Sequence, residues 1–237
     1  MMRLDKYLAE MGVGTRQEVK KQIRQGKAAV NGTVVKAADT KIDETCDEVT
    51  IGGRNISYVS YEYYMLNKPA GVVSATEDRR DTTVIDLIKE KKRKDLFPVG
   101  RLDKDTEGLL LITNDGDLAH RLLAPKKHVD KVYYAKVAGI VTEEDVERFA
   151  QGIDIGTDEE EMTRPAKLDI LKSGDESEIR LTIHEGKFHQ VKRMFQAVKK
   201  EVTYLKRERM GTLCLDEDLK PGEYRLLTEE EIENVRK

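Results

Sequence analysis

Leu4, Leu8 and Met11 recur at helical spacing over Arg3–Met11, with Tyr7 on the same side, and Gly12 and Gly14 interrupt the run. A short amphipathic helix is predicted there. Thr15, followed three residues later by Glu18, reads as a capping box, and Val19 and Ile23 carry the apolar stripe of a second helix to a stop at Gly26. Ala28–Val30 and Thr33–Val35 flank Asn31-Gly32, a dipeptide that favours a type I′ hairpin. Residues 1–51 therefore predict a small module of two helices and a hairpin. The stretch 52–59, with Gly52-Gly53-Arg54-Asn55, reads as a linker, which leaves 60–237 as a larger body.

In that body Tyr63–Leu66 reads as a strand entering a rigid turn at Asn67–Gly71, followed by extended Val72–Ser74. Thr83–Lys89 patterns as a helix with Val84, Ile85 and Ile88 buried, ended by the basic run Lys89–Lys94. Leu109–Thr113 is a short apolar run closed by the turn residues Asn114-Asp115-Gly116. Asp117–Leu123 is helical with Leu118, Leu122 and Leu123 inward, and Pro125 marks its end. Lys131–Val137 alternates as a strand, Thr142–Gln151 is a capped helix, and Lys167–Leu171 with Ile179–Ile183 reads as a hairpin. A helix from His189 to Lys199, strands at Val202–Arg209, Leu213–Leu215 and Tyr224–Leu227, and a last helix capped by Thr228 complete the chain. Strands dominate and do not alternate regularly with helices. The fold class is α+β, a mainly antiparallel mixed sheet flanked by helices.

Composition changes the picture by region. With 237 residues, two domains are the default. The total of 42 basic against 45 acidic residues hides local sorting: Met1–Lys36 holds eight Lys and Arg against three Asp and Glu, and Lys187–Arg209 holds eight against two. Basic segments of that kind suit a polyanionic partner. Cys46 and Cys214 are far apart, support neither a disulfide framework nor a zinc site, and read as small core residues. No segment resembles a signal peptide or approaches the ~20 apolar residues of a membrane span, so a cytoplasmic protein without membrane association is expected.

The densest chemistry lies in Gly-Arg-Leu-Asp-Lys-Asp-Thr-Glu-Gly-Leu-Leu-Leu, residues 100–111, where Arg101, Asp103, Lys104, Asp105 and Glu107 adjoin an apolar strand. Taken alone, this is either a solvated charged loop or a set of polar groups held on a rigid scaffold to act on a ligand. The string resembles the catalytic signature of the RNA pseudouridine synthases, specifically the branch that modifies single uridines in ribosomal RNA and carries an S4-like N-terminal domain. Arg3-Leu4-Asp5-Lys6-Tyr7-Leu8, Thr15-Arg16, Ile23-x-x-Gly26 and Val30-Asn31-Gly32 resemble that S4 RNA-binding domain. Its second helix would then face RNA, with Arg16, Lys20 and Arg24 contacting phosphates.

The same resemblance implies Asp103 as the catalytic aspartate. Tyr133, in Lys131-Val132-Tyr133, would stack on the target base, and Leu205 would line the base pocket. Glu185–Met194 resembles a third motif whose basic residue pairs with the aspartate; it falls on Lys192, with Arg193 as second candidate. An opposite charge keeps such a carboxylate ionised. Arg101, Lys104 and the basic segment 187–209 would hold the surrounding backbone, and His189 would orient rather than transfer protons. The implied reaction breaks the N1–C1′ bond of a flipped uridine, turns the base and joins C5 to C1′, with no cofactor and no metal. Whether Asp103 adds to C1′ or abstracts a proton stays open. Glycosidase chemistry by Asp103 and Glu107 is disfavoured by the absence of tryptophan, while a non-catalytic RNA-binding assembly factor remains the rival. His189–Met194 and the closing Pro-Gly-Glu-Tyr-Arg-Leu-Leu-Thr most resemble the small-subunit enzymes of the branch, although large-subunit members share the catalytic signature. The expected partner is ribosomal RNA in an assembling subunit, bound by a monomer.

Overall fold

The computed structural model describes residues 1–124, 129–156 and 161–237. The chain divides into two compact units, Met1–Glu62 with Lys89–Leu96, and Tyr63–Ile88 with Phe97–Lys237. The first contains β1 (Met2–Arg3), α1 (Leu4–Glu10), α2 (Arg16–Arg24), β2 (Ala28–Val30), β3 (Thr33–Val35), β4 (Lys41–Ile42), β5 (Val49–Ile51) and β6 (Arg54–Asn55). Leu4, Leu8, Val19 and Ile23 close its core with Ile42 and Val49, as the apolar spacing requires. The capping box is present: the Thr15 amide donates to Glu18 Oε2 at 2.7 Å and the Glu18 amide to Thr15 Oγ1 at 3.3 Å. Asn31 and Gly32 both take positive φ between the antiparallel β2 and β3, which is the type I′ turn.

Residues 52–59, read as a linker, are built into this unit. Gly52 and Gly53 turn a second hairpin that pairs β5 with β6, and the Tyr7 hydroxyl donates to the Ile56 carbonyl. Positive φ serves a hairpin as well as a joint, so glycine content could not separate the two. The run at residues 89–96 also belongs here. Glu62 accepts from the backbone amides of Lys92 and Arg93 at 3.0 and 2.7 Å, and the buried Arg93 guanidinium donates to Glu10, Asp95, Tyr58 Oη and the Val59 carbonyl.

The larger unit holds β7 (Tyr63–Lys68), α3 (Val84–Leu87), β8 (Phe97–Pro98), β9 (Glu107–Thr113), α4 (Gly116–Leu123), β10 (Lys131–Ala138), α5 (Glu143–Gln151), β11 (Lys167–Lys172), β12 (Glu176–Ile183), α6 (Gln190–Ala197), β13 (Glu201–Met210), β14 (Leu213–Cys214), β15 (Tyr224–Leu226) and α7 (Glu229–Arg236). Its strands form one sheet in the order β11-β12-β10-β13-β9-β7-β15, with β14 on β13 and β8 on β9. All pairs are antiparallel except β13 with β9. Leu109–Ile112 of the central β9 are fully buried, because apolar groups cover both faces of the sheet there. One face packs Leu109, Leu111 and Met65 against Leu118 and Leu122 of α4 and Val235 of α7. Elsewhere Phe149 of α5 meets Phe195 of α6 with ring centroids 4.9 Å apart.

Several local expectations change. Asn67 and Lys68 continue β7 instead of turning, since a buried acceptor set awaits each side chain; Asn67 Nδ2 donates to the Leu219 carbonyl at 2.7 Å. Val72–Ser74 forms no strand beyond a single bridge from Val73 to Thr83. Leu123 is 43 % exposed, at the last position of α4. Both cysteines are exposed, Cys46 on a turn and Cys214 on a two-residue edge strand, where small side chains meet no core. Pro125, read as the end of α4, lies outside the described residues. Among the described residues no helix is long and apolar enough to cross a membrane.

Candidate active site

The loop 100–106 enters β9, and its backbone is pinned from beneath. Lys68 is fully buried, and its Nζ donates to the carbonyls of Pro69, Lys104 and Thr106 at 3.0, 3.3 and 2.8 Å. The Gly71 amide donates to Lys104 O at 2.7 Å, and Ser74 Oγ both donates to the Leu102 carbonyl and accepts from the Leu102 amide. The Thr106 amide donates to Asp103 O at 3.1 Å, closing the turn that presents the Asp103 side chain. Lys68 and Ser74 escaped the sequence reading because a lysine before proline looks like a solvated turn.

Burial pushes the Lys68 ammonium down to about 8, against the pull of Asp105, Asp103 and Glu107. The unfolded chain keeps this proton to an ordinary value of 10.5, so between the two values the unfolded state binds more protons and this group's contribution to stability rises with pH. The charged lysine costs up to about 3 kcal/mol below pH 8, relieved as pH approaches 10.5. Moving from pH 7.5 to 9.5 is expected to gain wild type about 2 kcal/mol relative to Lys68→Met, read from paired urea midpoints. Equal shifts in both proteins would rule this out.

Asp103 is half-buried. Its Oδ2 lies 3.4 Å from Lys192 Nζ and its Oδ1 lies 3.5 Å from His189 Nε2. Lys192 also donates to both oxygens of Asp105, at 2.6 and 2.8 Å, and that hydrogen bond outweighs burial to hold the Asp105 carboxyl below its ordinary range. His189 caps α6 in a left-handed backbone conformation, φ 48, and its ring stacks on the exposed Phe188 at 3.8 Å between centroids. Gln190 holds this helix start, donating to Glu185 Oε1 at 3.0 Å and accepting from the Lys187 amide at 2.9 Å.

A cleft of about 950 Å³ opens beside this group, lined by Asp103, Arg101, Tyr133, Leu205, Lys192 and His189 among others. The sheet places the apolar side: Tyr133 of β10 stands opposite Arg207 of β13, and Ala135 opposite Leu205, so all four side chains share one face. Tyr134 faces away and donates to Glu178 at 2.6 Å. Lys131, which the sequence reading gave no role, and Arg207, expected only as part of the backbone-holding basic segment 187–209, also line the cleft. Burial, then the neighbouring Arg207 charge, pushes the Lys131 ammonium below the ordinary lysine range, opposed by Asp130 and Glu185.

Arg193, the second candidate partner of Asp103, turns elsewhere: its guanidinium donates to the Ile155 carbonyl and pairs with Glu161 at 2.6 Å. In the small unit Arg16 and Lys20 gather over the buried Asp5, at 3.5 and 3.7 Å, beside an Arg3 pair at 3.0 Å, and Arg24 is exposed on the same helix. Burial alone would raise the Asp5 pKa, but the Arg3 and Arg16 guanidiniums outweigh it and hold the carboxyl below its ordinary value. These basic groups are thus fixed in position while their outer atoms stay open to solvent.

An aspartate held beside a lysine in a cleft that a tyrosine also lines, on this mixed sheet, with a separate basic helical module, is the arrangement of a base-modifying RNA enzyme. The RNA pseudouridylate synthase family model matches residues 62–197, and the S4 domain model matches residues 2–49. The chain is 50 % identical to an uncharacterized RNA pseudouridine synthase of Bacillus subtilis over 98 % of its own length and 97 % of the relative's. It is 44 % identical to ribosomal small subunit pseudouridine synthase A of Vibrio vulnificus and 41 % identical to the protein of that name in Escherichia coli, covering 100 % and 99 % of this chain and 100 % of each relative. A solved pseudouridylate synthase crystal structure superposes with a TM-score of 0.69 at 40 % identity, covering 99 % of this chain and 100 % of that one. The chain belongs to the RNA pseudouridine synthases and is an isomerase with an S4 domain ahead of its catalytic domain.

Proposed function

We propose that this enzyme isomerises one uridine of small-subunit ribosomal RNA, taken from the assembling subunit in the cytoplasm by a single copy of the chain. The observation that carries the reading is the placement of the Asp103 carboxylate, 3.4 Å from Lys192, in a cleft that Tyr133 also lines. The uridine flips out of its stack, at a cost of a few kcal/mol, and its base enters the cleft against Tyr133 and Leu205. The Asp103 carboxylate then reaches the sugar carbon, with the Lys192 ammonium 3.4 Å away as its opposite charge. Arg101 and Arg193 hold the flanking backbone, while Arg16, Lys20 and Arg24 of the S4 domain contact phosphates.

Full-length similarity to relatives named for the small subunit favours that substrate. The test gives purified protein small-subunit and large-subunit ribosomal RNA separately, naked and as assembling particles, and maps pseudouridine by chemical labelling. A single new pseudouridine in small-subunit RNA is expected. Modification confined to large-subunit RNA would reassign the substrate, and no modification of either would favour a non-catalytic RNA-binding role.

A further inference from the structure

The cleft holds more positive charge than a pair for Asp103 requires. Lys131 is 9 % exposed and Arg207 is 2 % exposed, and both line the cleft on the sheet face that carries Tyr133. Among the described residues no carboxylate oxygen lies within 4.0 Å of either cation. The Lys131 ammonium donates to the Val129 carbonyl at 3.2 Å, and Arg207 Nε to the Leu109 carbonyl at 2.8 Å. Arg207 Nη2 is buried with no hydrogen-bond partner. The acids that reach Lys131 at longer range are engaged elsewhere: Asp130 pairs with His184 at 2.7 Å and faces Arg209 at 3.7 Å, and Glu185 accepts from the Arg164 amide at 2.8 Å and from Gln190.

Two neighbouring buried cations with no carboxylate in contact are costly to fold, because each loses hydration and each repels the other. Such an arrangement is tolerable where a negative charge forms during function. The reaction supplies one. When the C1′–N1 bond breaks, both electrons leave with N1, and the charge spreads over the carbonyl oxygens of the uracil ring. The ring turns, C5 bonds to C1′, the C5 hydrogen leaves as a proton and N1 takes one up. The ring is therefore anionic only between the two bond changes, which is where fixed positive charge lowers the barrier without tightening binding of the neutral substrate.

We propose that Lys131 and Arg207 form a cationic patch on the sheet face of Tyr133 that stabilises the detached, negatively charged uracil ring. The inference rests on the uridine reading of the cleft. A backbone phosphate is the weaker candidate anion, since it stays with the polynucleotide at the cleft mouth while a flipped base reaches the sheet.

The test compares wild type with Lys131→Met, Lys131→Gln, Lys131→Arg and Arg207→Lys on the ribosomal RNA that wild type modifies, measuring kcat, KM and RNA affinity by filter binding. The two neutral variants are expected to lose about 10²-fold in kcat with KM and affinity within about twofold, as when one preorganised stabilising group is removed. Lys131→Arg and Arg207→Lys, which keep the charge, are expected within about tenfold of wild type. Wild-type kcat in the neutral variants would overturn the proposal. So would a loss that falls in KM and RNA affinity, which marks a phosphate contact, or a Lys131→Arg protein as slow as Lys131→Met, which marks packing. Failure of the uridine reading looks different: wild type itself would then turn over no ribosomal RNA.

Discussion

Asp103→Asn is expected to lose at least about 10³-fold in turnover while RNA affinity stays within about twofold of wild type. Asparagine matches aspartate in size, so the turn closed by Thr106 and the brace from Lys68 and Ser74 remain. What disappears is the charge that either addition to C1′ or proton abstraction demands, and with it the attraction to Lys192 at 3.4 Å. RNA affinity should hold because it comes from cations against phosphates, of which this change removes none. Single-turnover conversion with filter binding on the same preparation reads both quantities. Turnover near the wild-type rate would remove Asp103 from the chemistry.

The second large effect concerns a residue that touches no substrate. Gly108 sits in β9 between β7 and β13, opposite Lys68 and Arg207, with φ +102. A Cβ there would fall 2.3 Å from the Arg207 carbonyl oxygen and 2.8 Å from its amide nitrogen, both backbone atoms that cannot turn aside. Gly108→Ala combines that overlap with a backbone conformation L-residues avoid, and is expected to cost about 4 kcal/mol or more, or to prevent folding. Because the strand it would displace follows the Asp103 loop directly, whatever protein still folds should turn over slowly. Gly174→Ala, whose Cβ would meet nothing nearer than 3.8 Å, should stay within about 0.5 kcal/mol of wild type in the same urea series. Equal midpoints for both variants would show that β9 and β13 separate freely at this point.

Local patterning was enough for most elements. The stripes Leu4–Leu8 and Val19–Ile23, the capping boxes at Thr15 and Thr228 and the turn at Asn31-Gly32 depend on neighbours within a few residues, and each forms as its spacing requires. The α+β class followed from element order, and the sheet is antiparallel at every pair but one. Where the reading failed, the deciding contact lay far along the chain. Asn67 extends β7 because Leu219 offers it a carbonyl, and Gly52-Gly53 is a turn because Tyr7 reaches Ile56. Residues 89–96 join the small unit through Glu62 and Arg93, a set of bonds with no local periodicity.

At the candidate site, the short motifs around Asp103, Tyr133 and Lys192 named residues that the fold brings to one cleft, since each side chain travels with a local turn, strand or helix start. Sequence alone thus determined which residue types were on hand and what element each would ride on. It could not choose between Lys192 and Arg193, which are adjacent on α6 and so point about 100° apart. Only the packing of that helix against the sheet turned Lys192 toward Asp103 and Arg193 toward Glu161. The pairing of β10 with β13 likewise brought Lys131 and Arg207, 76 positions apart by their numbers, to one buried face. Side-chain direction and burial are set by contacts between distant segments, and those exist only once the chain has folded.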